Sequence, residues 1–198
     1  LREQTGRLVR FSADAAALAQ AEEAHATITP GWIDAGDVGR AVMAAVADRF
    51  AAKNIALDVT TDGDTRLWAD RQRLAQVVGN LLDNSLRHTP PGGHVTLSAS
   101  RVVDDVVLSV TDDGDGIDGG RLAHVFERFY RADFARDRMR GGSGIGLAIV
   151  KALTEAHGGH VGVTSRGRGL GSTFTAAFPV AAPAPRNSGQ RADSGVSA

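Results

Sequence analysis

Residues 94–117 read HVTLSASRVVDDVVLSVTDDGDGI, and this stretch decides the fold. From His94 to Val102, and again from Val106 to Thr111, apolar and polar side chains alternate as in half-buried strands. Asp104-Asp105 sits between them as a turn, so the two strands are adjacent. A Gly/Asp loop, Asp112-Asp113-Gly114-Asp115-Gly116-Ile117, leaves the second strand.

Outward from this pair the pattern stays mixed. Asp70 caps a long helix through His88, which Pro90-Pro91-Gly92-Gly93 stops. Asp37 to Ala52 is helical, with Val38, Val42, Val46 and Phe50 on one face. Ile55 to Val59 alternates like a strand, and Thr65 to Trp68 is its expected partner. Downstream, a short helical stretch holds Phe126, Phe129 and Tyr130, and a polar Arg- and Gly-containing segment runs from Arg131 to Ser143. Gly144 to His157 is a helix ended by Gly158-Gly159, before strands at Val161–Ser165 and Ser172–Phe178. Strands and helices do not alternate strictly. The expected architecture is an α+β two-layer sandwich, a mixed and mainly antiparallel sheet with about three helices on one face.

A long helix precedes this unit. Leu1, Leu8, Phe11, Ala15, Leu18 and Glu22 fall near a 3-4 spacing, so residues 1–28 read either as a surface helix or as one arm of a helical hairpin. Thr29-Pro30-Gly31 then opens a linker over 29–36, the main domain occupies 37–180, and residues 181–198, rich in Ala, Pro, Ser and Gly, read as a disordered tail.

Composition removes several function classes. The 198 residues carry a formal net charge of -1 without a basic excess, which argues against nucleic acid as partner. Lys53 and Lys151 are the only lysines and neither follows a glycine, so there is no Walker A loop. The absence of cysteine excludes disulfide scaffolds, thiolate zinc sites and cysteine nucleophiles. No run approaches the roughly 18 apolar residues of a membrane span, so no membrane contact by this segment is expected. The first residues lack an initiator Met and are not a signal peptide, and the chain reads as a piece of something longer.

Chemistry concentrates in four clusters. On the helix ending at His88, Asn80, Asn84 and Arg87 lie within a stripe of roughly 60°, next to the apolar stripe of Leu74, Val77, Val78 and Leu81. A carboxamide oxygen there can hold a hard cation and a guanidinium can hold phosphate. The Asp112–Ile117 loop is the second cluster. It fails as a calcium loop, because a register from Asp113 puts Ile117 at the fifth position and His124 where a Glu is required. Its glycines let a ligand lie flat against backbone, with one Asp as acceptor. The third, Gly141-Gly142-Ser143-Gly144-Ile145-Gly146-Leu147, opens a helix and lacks the spacing of a dinucleotide fingerprint. Free backbone N–H groups there make an anion site, with Arg131, Arg136, Arg138 and Arg140 just before it. The fourth, Gly167-Arg168-Gly169-Leu170-Gly171-Ser172-Thr173-Phe174, reads by itself as a glycine-rich hairpin turn. His157-x-x-His160 straddles the Gly-Gly helix stop and reads as a turn before it reads as a metal pair.

In this order the four clusters resemble the N, G1, G2 and G3 boxes of the ATP-binding domain of sensor histidine kinases, a Bergerat-type fold shared with gyrase, Hsp90 and MutL ATPases. Phe126-Glu127-Arg128-Phe129-Tyr130-Arg131 resembles the F box, and the likeness spans roughly Trp32 to Pro179. The resemblance implies ATP and Mg2+ as ligands. By it, Asn84 holds the magnesium, Asn80 stands close to metal and phosphates, Arg87 contacts phosphate, and His88 lies beside the nucleoside. Asp112 accepts a hydrogen bond from the adenine amino group while Gly114 and Gly116 let the base approach. Gly142, Gly144 and Gly146 hold phosphates, Leu147 lines the pocket with Ile117 and Ile145 in the same ATP-contacting set, and Thr173 lies near adenine. Arg131 to Ser143 would be a mobile lid, with Arg131 among the ATP contacts.

The resemblance also implies a reaction. Water-activating ATPases of the wider family place a Glu where this chain has Asn80, whose amide cannot take a proton, so hydrolysis is disfavoured and the γ-phosphate is kept for another acceptor. Histidine kinases phosphorylate a His on the first helix of a dimerisation hairpin, and none of His25, His88, His94, His124, His157 and His160 has that context. The first 26 residues resemble the second hairpin helix alone. The expectation is a histidine kinase lacking its phosphoacceptor, either cut after it or a natural split-kinase subunit. Its partners would be a His-containing dimerisation or phosphotransfer domain and a downstream response regulator. The segment would be cytoplasmic, with a longer parent anchored in the inner membrane. The alternatives are an anti-sigma-type serine kinase, against which Asn80 argues, and a non-catalytic nucleotide-binding module on the same fold.

Overall fold

The computed structural model describes residues 28–128, 130 and 144–181. The expected N-terminal helix (Ile28 apart), the lid segment with Arg131 and Gly142, Phe129, and the tail beyond Ala181 lie outside these residues. Among the described residues, seven strands and three α-helices follow in the order β1 (Gly31–Asp34), α1 (Ala35–Ala52), β2 (Ala56–Asp62), β3 (Arg66–Ala69), α2 (Arg71–His88), β4 (His94–Val102), β5 (Asp105–Asp112), α3 (Gly146–Ala156), β6 (His160–Thr164) and β7 (Ser172–Pro179). A 3-10 turn, Gly119–His124, lies between β5 and α3.

The main sheet runs β2-β4-β5-β7-β6, with β2 parallel to β4 and every other pair antiparallel. On β5, Val106, Leu108 and Val110 are fully buried, whereas Val107 and Ser109 on the other face are not. Such one-sided burial is the habit of an antiparallel sheet covered on a single face. The helices supply the cover. On α2, Leu74, Val77, Val78, Leu81, Leu82 and Ser85 are buried at helical spacing, and the five apolar ones share one core with Val38 and Phe50 of α1 and Ile149, Val150 and Leu153 of α3. Each fully buried Leu or Val in it contributes about 1.5–3 kcal/mol. The two-layer α+β sandwich read from the sequence is the architecture found.

Local chemistry sets the helix ends. The Asp34 carboxylate accepts from the Asp37 amide at the start of α1, and Asp70 accepts from the Gln72 and Arg73 amides at the start of α2. Thr89, which precedes Pro90, is extended (ψ 127), so α2 cannot continue. Its last carbonyls do not go unpaired: Lys53 Nζ donates to the oxygens of Leu86 (2.6 Å) and Thr89 (2.7 Å).

Two expectations at the N-terminal side need correction. Residues 31–36 are not linker: Gly31–Asp34 is a strand and α1 begins at Ala35. The expected pairing of Ile55–Val59 with Thr65–Trp68 does not form either. β3 pairs antiparallel with β1, stacking Trp32 on Trp68 edge to face at 5.7 Å, while β2 runs parallel beside β4. The physical reason is α2, which supplies the long crossover that a parallel pair requires and frees β3 to bury Leu67 and Ala69 with β1.

Candidate functional site

The inward alternation of β5 does not stop at Val110. The next residue on that face is Asp112, a carboxylate in a position the pleat assigns to core, and it is only 5% exposed. A buried carboxylate needs donors. Oδ2 accepts from the Ser172 hydroxyl at 2.8 Å and Oδ1 from the Gly114 amide at 3.0 Å. Burial pushes the carboxyl above its usual value, against the lowering effect of those donors and of His88.

The loops around Asp112 leave no room for side chains. A Cβ on Gly114 would collide with the His88 carbonyl oxygen, and one on Gly171 with the Asp112 carbonyl oxygen. Gly116, at φ +63, abuts the Gly167 carbonyl oxygen in the same way. Backbone bonds close the loops on each other, from Gly171 N to Gly114 O (3.2 Å) and from Gly169 N to Asp115 O (2.7 Å).

The last turns of α2 form the facing wall. Asn80, Asn84, Arg87 and His88 are all half-buried, as expected for a stripe at the edge of the core. The Asn80 Nδ2 is buried without a hydrogen-bond partner, and a Cβ placed on Gly146 would stand 3.8 Å from its Oδ1. The sequence-distant Asn80 and the start of α3 are therefore brought face to face. His88 Nδ1 lies 3.3 Å from Asp115 Oδ2, and the His88 carbonyl accepts from the Asp115 amide at 3.0 Å, which ties the end of α2 to the loop after β5. A groove of about 660 Å³ on the other side of Arg87 and His88 is lined by Arg49, Lys53, Asp83 and Leu86.

At the α3 end, Gly144 takes φ +72, Ile145 is buried and Gly146 begins the helix. Leu147 and Ile117 are half-buried against the core. Phe126 stacks edge to face on Phe174 at 6.2 Å, joining the stretch after the 3-10 turn to β7.

Thr173 does not face Asp112: its hydroxyl meets that of Thr111 at 3.0 Å on the uncovered face of the sheet. Ser172, paired with Asp112 across β7 and β5, is the residue brought to the carboxylate, and the sequence reading missed it. A shift of one position along a strand moves a side chain to the opposite face. The His157-x-x-His160 pair is also settled as structure. Nε2 of buried His157 accepts from the Asp70 amide (3.1 Å), leaving Nδ1 to donate to the Leu153 carbonyl (2.7 Å).

A mixed sheet with helices on one face, a buried carboxylate at a strand end and a glycine-opened helix facing Asn80 together define an ATP-binding ATPase domain. Residues 69–182, more than half of the chain, match the family described as histidine kinase-, DNA gyrase B-, and HSP90-like ATPase, and the chain belongs to that family. It is 38% identical over 164 residues to the sensor-like histidine kinase SenX3 of Mycolicibacterium smegmatis, covering 81% of this chain and 42% of the relative. It is 34% identical over 161 residues to the signal transduction histidine-protein kinase BaeS of Escherichia coli, covering 81% and 34%. Over 110 residues it is 51% identical to the sensor protein DivL of Caulobacter vibrioides, covering 56% and 13%. The chain thus spans 13% to 42% of the length of these relatives.

Solved structures agree. The mycobacterial sensor histidine kinase MprB superposes with a TM-score of 0.67 at 30% identity, over 76% of this chain and 97% of that one. Full-length ShkA, solved in complex with AMPPNP, gives 0.73 at 31% identity, over 92% and 38%. The chain carries the histidine-kinase ATPase domain of two-component sensor kinases. Among the described residues no helix is long and apolar enough to cross a membrane.

Proposed function

We propose that this domain binds Mg-ATP and donates the γ-phosphate to a histidine on a dimerisation or phosphotransfer domain, which then serves a response regulator. The reading is carried by Asp112, a buried carboxylate held by the Ser172 hydroxyl and the Gly114 amide among glycines that admit no side chain. Such a group accepts a hydrogen bond from an exocyclic amino group on a flat base, as adenine offers. ShkA, at 31% identity, was solved with AMPPNP, an ATP analogue, which supports the same ligand class.

In this reading Ile117, Ile145 and Leu147 line the base and sugar, and His88 borders the nucleoside. Gly114 and Gly116 admit the base, and Gly144 and Gly146 offer phosphates the open N-terminus of α3. Arg87 contacts phosphate as a fixed cation. Arg131 and Gly142 join the phosphate contacts on sequence grounds alone. The residues present fit magnesium: Asn84 offers a hard carboxamide oxygen, and the unpartnered Asn80 Nδ2 has hydrogens to give a phosphate oxygen beside it. Bound magnesium would supply neutralisation of phosphate charge. Asn80 cannot accept a proton from water, so the chain itself provides no general base at that position and the terminal phosphoryl is preserved for the histidine.

Incubation with γ-labelled ATP and magnesium, with and without a separately supplied histidine-bearing dimerisation domain, tests this. Acid-labile label is expected on the added domain only, and Asn84→Ala abolishes it. Label on this chain alone, or none on the partner from protein that binds ATP, contradicts the proposal.

A further inference from the structure

We infer that Ser165 is a positioning residue for adenine recognition, its hydroxyl clasping the loop after β5 to the loop before β7 and so fixing where Asp112 and Ser172 meet the base. The inference rests on the nucleotide reading above. Ser165 directly follows β6 and is half-buried. Its Oγ lies 2.9 Å from the Ile117 amide and 3.3 Å from the Gly167 amide, and 2.6 Å from the Gly171 carbonyl oxygen. A hydroxyl has one proton and two lone pairs. The proton goes to Gly171 O, closer than the 3.4 Å alternative at Gly167 O, and the two amides occupy the lone pairs. The bonding capacity of Ser165 is therefore full.

The partners belong to separate stretches of chain. Ile117 closes the loop that Asp112 opens, whereas Gly167 and Gly171 bracket the turn that delivers Ser172. Gly171 is the pivotal partner. It immediately precedes Ser172, and its own amide bonds to Gly114 O, the residue whose amide holds Asp112 Oδ1. Ser165 thus fixes the peptide unit from which the Ser172 hydroxyl reaches Asp112. Without that hydroxyl the two loops lose a shared anchor, and the acceptor loses its aim while the fold keeps its core.

Affinities for ADP and for inosine diphosphate, whose base bears an oxygen where adenine bears its amino group, separate positioning from general weakening. They are measured on the full chain for wild type, Ser165→Ala and Ser165→Thr, with thermal midpoints taken without nucleotide. Ser165→Ala is expected to weaken ADP about tenfold, the loss of one hydrogen-bonded anchor. It should weaken inosine diphosphate much less, so that discrimination narrows, and Ser165→Thr, which keeps the hydroxyl, retains it. Equal weakening of both nucleotides, or unchanged ADP binding, overturns the inference while leaving the nucleotide reading intact. Failure of the wild type to bind ADP overturns that reading instead. Should Ser165→Ala not fold, Ser165→Cys, a weak donor of similar size, carries the same comparison.

Discussion

In the proposed site, Asp112 is the residue where fold and function would compete. Burial raises its carboxyl above the ordinary value of 3.8, so at neutral pH the ionised form costs folding free energy. That cost disappears as the pH falls below the unfolded value. Asp112→Asn is therefore expected to keep or raise the thermal midpoint at neutral pH while losing adenine nucleotide binding. In the wild type, ADP affinity should fall on acidification at pH values where an exposed aspartate is still ionised, which a pH series of binding isotherms checks. The neighbouring pair gives a sharper residue-scale test. Ser172→Ala should weaken ADP, whereas Thr173→Val, on the other face, should leave its affinity within about twofold, near the small effect of a surface change. The signal that separates them lies in the sequence: Phe174 must be core, and a period of two from it puts Ser172 inside and Thr173 outside.

At the scale of elements, the Asp70 cap and the strand alternation were legible, whereas the Asp34 cap was not. Asp70 illustrates a cap that does more than start α2. Burial works to raise its carboxyl, but the amides of Thr29, Arg73 and Gln72 together hold it below the ordinary 3.8. The folded value lies below the unfolded one, so the stabilisation is present above 3.8 and is lost as the pH drops through the folded value. Asp70→Ala is expected to cost about 1–2 kcal/mol in urea unfolding at neutral pH, with the difference from wild type shrinking in acid. Strand partners were not legible. Gly31–Asp34 is short and follows a proline, so no local signal marks it as a strand, and its pairing with β3 depends on Trp32 meeting Trp68 across intervening sequence. Parallel pairing of β2 with β4 is likewise a property of the α2 crossover and not of either strand.

For the whole molecule, β1 and α1 precede the residues matched to the family, yet Ala35, Val38 and Phe50 belong to the same core as the α2 face that carries Asn80 and Asn84. Phe50→Ala is therefore expected to destabilise the entire domain by about 3–5 kcal/mol in a single cooperative transition. A separate early transition would show α1 to be peripheral. The order of the glycine and asparagine clusters made the candidate site and the family readable in the sequence, because each cluster supplies its own backbone or carboxamide chemistry. The contacts of Ser165 and Ser172 were not legible, because they exist only once the loops meet. The central claim is most directly tested by calorimetric titration of Mg-ATP into the full chain beside its Asp112→Asn variant, both shown to unfold cooperatively. Saturable binding of one nucleotide per wild-type chain and none by the variant is the expected result, and equal heats from both, or no binding by the wild type, would overturn the assignment of Asp112.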